Sequence, residues 1–119
     1  MTDDDTERAR ALAASIDAHP EALHADYTAE VRALIAIGLP SLEAVLPLLM
    51  AEAELTRLRA QRTLEGVTRA WAGAHATGER QAWERLWAQH GSYDWRAPAQ
   101  LRAASVRQWQ AWLSAVRAR

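Results

Sequence analysis

The clearest candidate metal ligands are Glu21 and His24, which form an E-x-x-H pair on a predicted helix. Such a pair is half of a di-iron carboxylate site, which also needs a second pair and two further glutamates on facing helices. No other glutamate in the chain stands three residues before a histidine. His19 precedes His24 by five residues, a poor match to one helix face, and there is no cysteine to supply a thiolate. The sequence therefore predicts neither a metal site nor a cofactor.

A second possible chemistry is nucleophilic catalysis by His90, Ser92 and Asp94 in the segment HGSYD. Residues so close in sequence rarely converge in the geometry of a catalytic triad, and no nucleophile-elbow motif surrounds the serine. The five glycines are too scattered to form a phosphate-binding loop. We therefore interpret Ser92 and Asp94 as turn residues that hydrogen-bond backbone N–H groups, and predict that the chain is not an enzyme.

Charge is distributed unevenly along the chain. Residues 1–60 contain 11 acidic and 5 basic side chains, whereas residues 61–119 contain 4 acidic and 9 basic ones and all six tryptophans. Arginine supplies every basic side chain, which we attribute to a GC-rich genome because the bias runs through the whole chain. The basic half could bind nucleic acid through phosphate contacts and base stacking, although the net charge of −1 opposes this. Alternatively, the acidic and basic halves complement each other in a partner complex or in self-association.

The composition predicts an all-α fold. Alanine and leucine, with 27 and 14 copies, favour helix, and valine and isoleucine together number 8. No apolar run reaches 18 residues, and the acidic start MTDDDTE is unlike a signal peptide. We expect one cytoplasmic domain over residues 1–119, in which residues 1–5 either begin the first helix or are disordered.

Six helices follow from the apolar periodicity and the breakers. We expect the first helix to stop at His19-Pro20, the second to run from Pro20 to Gly38, and the third to kink at Pro47. Residues 51–54 join it to the fourth helix, either as a short turn or as a bend in a helix that continues. The fourth helix gives way to a loop at Gly73. The fifth helix covers about residues 79–89 and the sixth opens at Pro98. The main apolar stripes are Ala9, Leu12, Ala13 and Ile16; Leu42, Val45, Leu46 and Leu49; Ala60, Leu64, Val67 and Trp71; and Val106, Trp109, Leu113 and Val116.

Residues 34–71 resemble a HEAT-type repeat. Gly38, Pro40, Leu42 and Pro47, with their neighbouring aliphatic residues, are similar to the first helix of such a unit. Arg57, Ala60, Leu64 and Val67 are similar to the second helix, and residues 93–113, YDWRAPAQLRAASVRQWQAWL, resemble the Trp-rich tail of bacterial HEAT-like proteins. The resemblance implies three antiparallel helical hairpins stacked as a short α-solenoid; a closed helical bundle is the alternative. It also implies a non-catalytic protein-interaction scaffold that binds through the exposed faces of its second helices.

The expected partner-binding residues lie on the charged face of the fourth helix. This face contains Leu58, Arg62, Glu65 and Arg69, which would recognise another protein through arginine-centred hydrogen bonds around a small apolar contact. Trp95 is the one tryptophan outside a helical stripe, and it either seals an end of the core or is an exposed anchor. A nucleic-acid-binding domain that uses residues 61–119 is the alternative function.

Overall fold

All regular structure in the described part of the chain is helical, as the composition predicted. The computed structural model describes residues 3–18, 25–75 and 78–118. The α-helices are α1 (Asp3–Ala14), α2 (Ala29–Ile37), α3 (Leu42–Val45), α4 (Glu54–His75), α5 (Glu79–Gln89) and α6 (Ala99–Arg117). Two 3₁₀ segments, Leu39–Ser41 and Leu46–Met50, flank α3. Glu21, His24 and His19, which were considered and rejected as metal ligands on the basis of their spacing, fall outside the described residues.

The first two helices begin and end differently from the sequence prediction. Helix α1 already contains Asp5, and it ends at Ala14, five residues before His19, where the sequence predicted that it would stop. Helix α2 begins only at Ala29, because the hydroxyl of Thr28 accepts a hydrogen bond from the backbone N–H of Val31 at 3.2 Å and so caps the helix. Residues 25–27 are turn and bend and Thr28 is extended, so the prediction that this helix already runs through them is wrong.

Residues 39–50 form what we call the broken helix. Gly38 ends α2 with a φ of 87°, a conformation that favours glycine. One α-helical turn follows at Leu42–Val45, and the chain then tightens into the 3₁₀ segment that contains Pro47. Proline lacks an N–H and its ring crowds the carbonyl four residues earlier, so an α-helix cannot continue past it undisturbed. Where the sequence predicted a kink at Pro47, the structure shows a change from α to 3₁₀ helix that begins at Leu46.

Helix α4 is the central element of the fold. It packs against α2, the broken helix and α5, and its buried stripe is Ala60, Leu64 and Val67. The helix continues through Gly73 to His75, so the predicted loop at Gly73 is wrong; Ala72, 2% exposed, keeps this last turn in contact with the core. Helix α1 packs on α2 and on the first part of the broken helix.

Helices α5 and α6 are joined by a turn that fixes their relative position. The N–H of Gly91 bonds the carbonyl of Ala88 and that of Ser92 bonds the carbonyl of Trp87, the two hydrogen bonds of a Schellman motif. Gly91 has a φ of 85°, and a Cβ there would lie 3.1 Å from the Cβ of Ser105 on α6. The turn thus needs glycine both for its backbone conformation and for the close approach of α6.

Large rings fill the space between α5 and α6. Trp109 is fully buried, and its ring lies 5.5 Å from Trp87, 5.4 Å from Trp112 and 4.4 Å from His90, measured between centroids. The backbone of α6 packs most closely on residues 46–50 of the broken helix, and α6 meets α5 through these rings. The stacked-hairpin arrangement accordingly stays a prediction, while the all-α fold is confirmed.

One bent pair of segments reaches the length and hydropathy of a membrane span. It consists of Ala29–Ile37 and Leu39–Met50, which meet at 119°. No single helix among residues 3–18, 25–75 and 78–118 is long and apolar enough to cross a membrane. In the present fold, Val31, Leu34 and Leu42 of this pair are completely buried in the core.

Buried polar contacts attach the segment after α5 to the rest of the fold. The hydroxyl of Tyr93 donates to the carbonyl of Leu49 at 2.6 Å. Arg57, 8% exposed, donates from Nε to the carbonyl of Trp95 and from Nη1 to the carbonyls of Ala51 and Glu52, each at 2.8 Å. Tyr93 and Arg57 therefore join the broken helix, the start of α4 and the α5–α6 connection.

We predict that the free energy of unfolding falls at alkaline pH because the buried hydroxyl of Tyr93 ionises. Burial raises the pKa of Tyr93 to about 12, from the ordinary 10.0. The unfolded chain therefore loses this proton first, so the contribution of Tyr93 is complete below pH ~10 and is lost as the pH rises towards ~12, at most about 2–3 kcal/mol. Urea unfolding of the wild type between pH 9 and 11 measures this loss. Tyr93→Phe should remove that part of the pH dependence; equal slopes in both proteins would contradict the prediction.

Candidate interaction surface

Four of the five predicted partner-binding residues lie along one side of α4. Leu58, Arg62, Glu65 and Arg69 are spaced four, three and four residues apart, and we call this row the α4 strip. Leu58, Arg62 and Glu65 are half-buried, and Arg69 is exposed. The strip runs from the start of α4 towards α5, so its two ends have different neighbours.

Arg62 is held by carboxylates of its own chain. Its Nε donates to Asp26 Oδ2 and its Nη1 to Glu65 Oε1, both at 3.0 Å. Burial lowers the pKa of Arg62, but the hydrogen bond to Asp26 and the charge of Glu65 outweigh this effect and raise the pKa above its ordinary value. Glu65 also accepts from Gln61 Nε2 at 3.1 Å. The middle of the strip is thus a network that fixes the segment before α2 on α4, and its arginine is not a free recognition group.

Arg69, at the end of the strip next to α5, has a different environment. Its Cζ lies 4.2 Å from the centre of the Trp83 ring, a cation–π contact between α4 and α5. Its guanidinium forms no hydrogen bond or salt bridge with any residue that the structure describes. The stacked face is therefore occupied, and the N–H groups at the edge of the guanidinium plane remain available.

The ring of Trp83 is fixed from behind by a short chain of hydrogen bonds. Its Nε1 donates to Thr68 Oγ1 at 2.8 Å, and this hydroxyl donates to the carbonyl of Leu64 at 2.6 Å. Thr68 is fully buried, so water does not compete for the contact. A tryptophan held in this way offers a rigid platform, and Arg69 stacked on it loses little further freedom on binding.

A cleft of about 370 Å³ opens beside this stack between α4 and α5. Its walls are Arg69, Arg80, Trp83 and Glu84. Arg80 Nε lies 3.2 Å from Glu84 Oε1, and both side chains are largely exposed. The volume lies near the lower end of the range for ligand pockets, roughly 300–1,000 Å³. It suits one or two protruding side chains of a partner better than a large cofactor.

Trp95 lies away from this cleft. It is half-buried and packs against the core. Its backbone N–H donates to Gln61 Oε1 at 2.9 Å, and its backbone carbonyl accepts a hydrogen bond from Arg57. Gln61 precedes Arg69 by eight residues, or ~12 Å along α4. Of the two interpretations that the sequence left open, the structure supports the sealing role, with Arg96 over the ring at 5.3 Å.

Three cleft residues were not identified from the sequence. The helical spacing assigned Trp83 to the core, yet it is half-buried and lines the cleft, whereas Trp71, Trp87 and Trp112 pack on the core as expected. Arg80 and Glu84 carried no signal, because their importance depends on α5 lying beside the end of α4. A cation on one helix and an indole on the next could be paired only by knowing the tertiary contact.

The residues considered for nucleophilic catalysis have structural contacts instead. The Nδ1 atom of His90 lies 2.7 Å from the carbonyl of Leu86, and its ring stacks on Trp109. Asp94 Oδ1 accepts from the N–H of Arg96 at 2.8 Å, which confirms the prediction of Asp94 as a turn residue. Ser92 contributes its backbone N–H to the Schellman motif.

The chain matches no family model, no curated protein and no solved structure with which it was compared. The HEAT-type resemblance therefore rests on residues 34–71 and 93–113 alone. The geometry of the α4–α5 cleft is the stronger guide to function, since it depends on contacts and not on similarity.

Proposed function

We propose that this chain is a non-catalytic protein–protein interaction module, of HEAT-like type and cytoplasmic, that binds its partner through the α4–α5 cleft and the adjoining α4 strip. The observation that carries the proposal is the Arg69–Trp83 stack: a solvent-exposed guanidinium with unpaired donors, placed on a fixed indole at the edge of a cleft. Tryptophan and arginine are the side chains most enriched at the energetic centres of protein interfaces.

The place of the stack in the fold also supports a protein partner. Helix α4 corresponds to the second helix of the HEAT-type unit, and the resemblance implies that the outward face of this helix binds. Leu58 adds a half-buried apolar contact to the strip, and the Arg62–Glu65 pair supplies polar groups at its rim. Interfaces of modest size combine such an apolar centre with a polar rim.

The burial of the tryptophans favours a protein partner over nucleic acid. Stacking on bases requires exposed rings. Trp109 is fully buried, and Trp71, Trp87, Trp95 and Trp112 pack against the core. Trp83 lines the α4–α5 cleft, and Glu84 stands beside it.

We predict that Arg69→Glu reduces capture of the partner by at least about tenfold, because charge reversal at the centre of an interface costs more than 1.4 kcal/mol. The measurement is affinity capture from native lysate with the tagged full chain, quantified by mass spectrometry. Arg107→Glu is the matched control, since Arg107 is an exposed arginine on α6 and the charge change is the same.

Equal recovery of the wild-type partners by Arg69→Glu would contradict the proposed surface. Circular dichroism and urea unfolding of both variants establish that neither has lost its fold. Binding of the wild type to mixed DNA or RNA at about 50 mM salt, lost at higher salt, would favour the nucleic-acid alternative instead.

A further inference from the structure

We infer that the α4–α5 cleft receives a carboxylate of an acidic peptide segment in another protein, with Arg69 as its direct binding group. The inference rests on the proposed function and specifies the partner's chemistry. Arginine presents its N–H donors in a planar fork that matches the two oxygens of a carboxylate. In Arg69 this fork is unpaired and already oriented by the indole of Trp83 at 4.2 Å.

The second cation of the cleft can join the contact at small cost. Among the residues that the structure describes, Arg80 forms an ion pair with Glu84 at 3.2 Å, and the two side chains are 92% and 57% exposed. Ion pairs that are this exposed contribute little to stability, so Arg80 exchanges Glu84 for an incoming carboxylate readily. Two guanidinium groups and the Trp83 indole thus line the position of the ligand.

The charge of the cleft favours a carboxylate over a phosphate. Glu84 stays in the wall and repels an anion that carries close to two charges, or a backbone with a charge at every nucleotide. A single carboxylate leaves the cleft, with Arg69, Arg80 and Glu84, close to neutral. A cleft of about 370 Å³ also has room for an Asp or Glu side chain with one neighbour.

A second copy of this chain is a less suitable source of the carboxylate. Several acidic side chains of the N-terminal half already pair with arginines of their own chain. These are Asp17 with Arg59, Asp26 with Arg62, and Glu43 with Arg117. Two of these pairs, Asp26–Arg62 and Glu43–Arg117, join the acidic half to the basic half. The complementarity of the two halves is therefore used in part within the fold, and the unpaired Arg69 is directed towards a different protein.

The test begins with a display library of random 12-residue peptides, selected on the immobilised full chain and counter-selected on Arg69→Ala. We expect the retained peptides to share an Asp or Glu. Replacing that residue by Asn or Gln should weaken binding to the wild type at least about tenfold, and binding to Arg69→Ala less than about twofold. The two changes are then not additive, as expected for side chains in direct contact. Arg85→Ala is the matched control on the exposed side of α5 and should bind like the wild type.

Two further variants test the stacked fork itself. Arg69→Lys keeps the charge but lacks the planar fork, so we expect it to bind the selected acidic peptide several-fold more weakly, roughly between wild type and Arg69→Ala. Thr68→Val removes the hydroxyl that accepts a hydrogen bond from Trp83 Nε1. It should lower the affinity for the selected peptide without changing any charge. Lysine binding as tightly as arginine would contradict the role of the fork.

Four results would overturn the inference. They are selected peptides without a shared acidic residue, an amide replacement that weakens binding equally in Arg69→Ala, tighter binding of a phosphorylated peptide, and self-association in sedimentation velocity that Arg69→Ala abolishes. If Arg69→Glu nevertheless loses the lysate partner, only the carboxylate assignment fails. If Arg69→Glu retains it, the proposed interaction surface fails as well.

Discussion

Arg59→Met is expected to lower the free energy of unfolding by about 3 kcal/mol. The substitution removes the hydrogen bonds and the ion pair of a buried arginine, and an apolar side chain cannot form them. Arg59 is 0% exposed. Its Nε donates to the carbonyl of Ala25 at 2.7 Å and its Nη1 to Asp17 Oδ1 at 2.5 Å. Asp17 follows α1 and Ala25 precedes α2, so one guanidinium attaches both sides of the α1–α2 connection to α4. Methionine fills most of the volume, which restricts the loss to the polar contacts.

The effect should be larger when the carboxylate is removed instead. Asp17→Asn leaves the buried charge of Arg59 without its counter-ion, whereas in Arg59→Met the remaining Asp17 carboxylate is 48% exposed and is hydrated. We therefore expect Asp17→Asn to cost about 3–5 kcal/mol and the double variant to cost less than the two single changes together. Urea unfolding of all four proteins at pH 7 gives these values. Additive effects, or an Arg59→Met protein as stable as the wild type, would show that the pair does not hold the connection.

Much of the helical framework could be predicted from the sequence because apolar periodicity reports burial directly. The stripe Ala9, Ala13 and Ile16 is buried as expected, and so are Val106, Trp109 and Leu113 of α6. Helix α5 has the predicted limits, and α6 opens directly after Pro98. At these positions the local signal and the tertiary packing agree, so no knowledge of neighbouring helices was needed.

The buried arginines could not be predicted in the same way. Arg57 and Arg59 are 8% and 0% exposed, and a pattern of apolar residues registers both as surface positions. Their burial is possible only because backbone carbonyls from residues 25, 51, 52 and 95 converge on α4. Those partners are 5 to 38 residues distant in sequence. The predicted start of α2 is wrong because it depends on Pro20 as the start signal. The cap that begins the helix is Thr28.

The sequence could predict which residues of the candidate site share a helix face, but not which tertiary neighbours they have. The spacing of Arg62, Glu65 and Arg69 placed all three on one face of α4, which is correct. The spacing could not show that the two arginines have different environments. Arg62 pairs with Asp26 of another segment, whereas Arg69 stacks on Trp83 of α5. Each distinction depends on which element lies opposite the helix, and this is a property of the folded chain.

Trp109→Ala should be the most destabilising single substitution in the aromatic layer, with a loss of about 3–5 kcal/mol in the free energy of unfolding. The ring is fully buried between α5 and α6 and contacts Trp87, Trp112 and His90. Removing it leaves a cavity that rigid neighbouring rings cannot fill by small movements, and the main contact between the two helices is lost with it. Leu101→Ala is the matched control on α6: Leu101 is 61% exposed, and its truncation should change stability by less than about 0.5 kcal/mol.

Trp109→Phe separates the packing of the ring from the chemistry of its N–H group. The Nε1 donor is buried and has no hydrogen-bond partner in the described part of the chain, so the wild type bears the cost of an unsatisfied donor. Phenylalanine removes that donor and keeps a ring against His90, and the relief offsets part of the lost contact. We therefore expect Trp109→Phe to cost less than half as much as Trp109→Ala in urea unfolding. If the two substitutions were equally costly, the indole N–H would have to be bonded in the folded protein, and the stability of this layer would not come from ring packing alone.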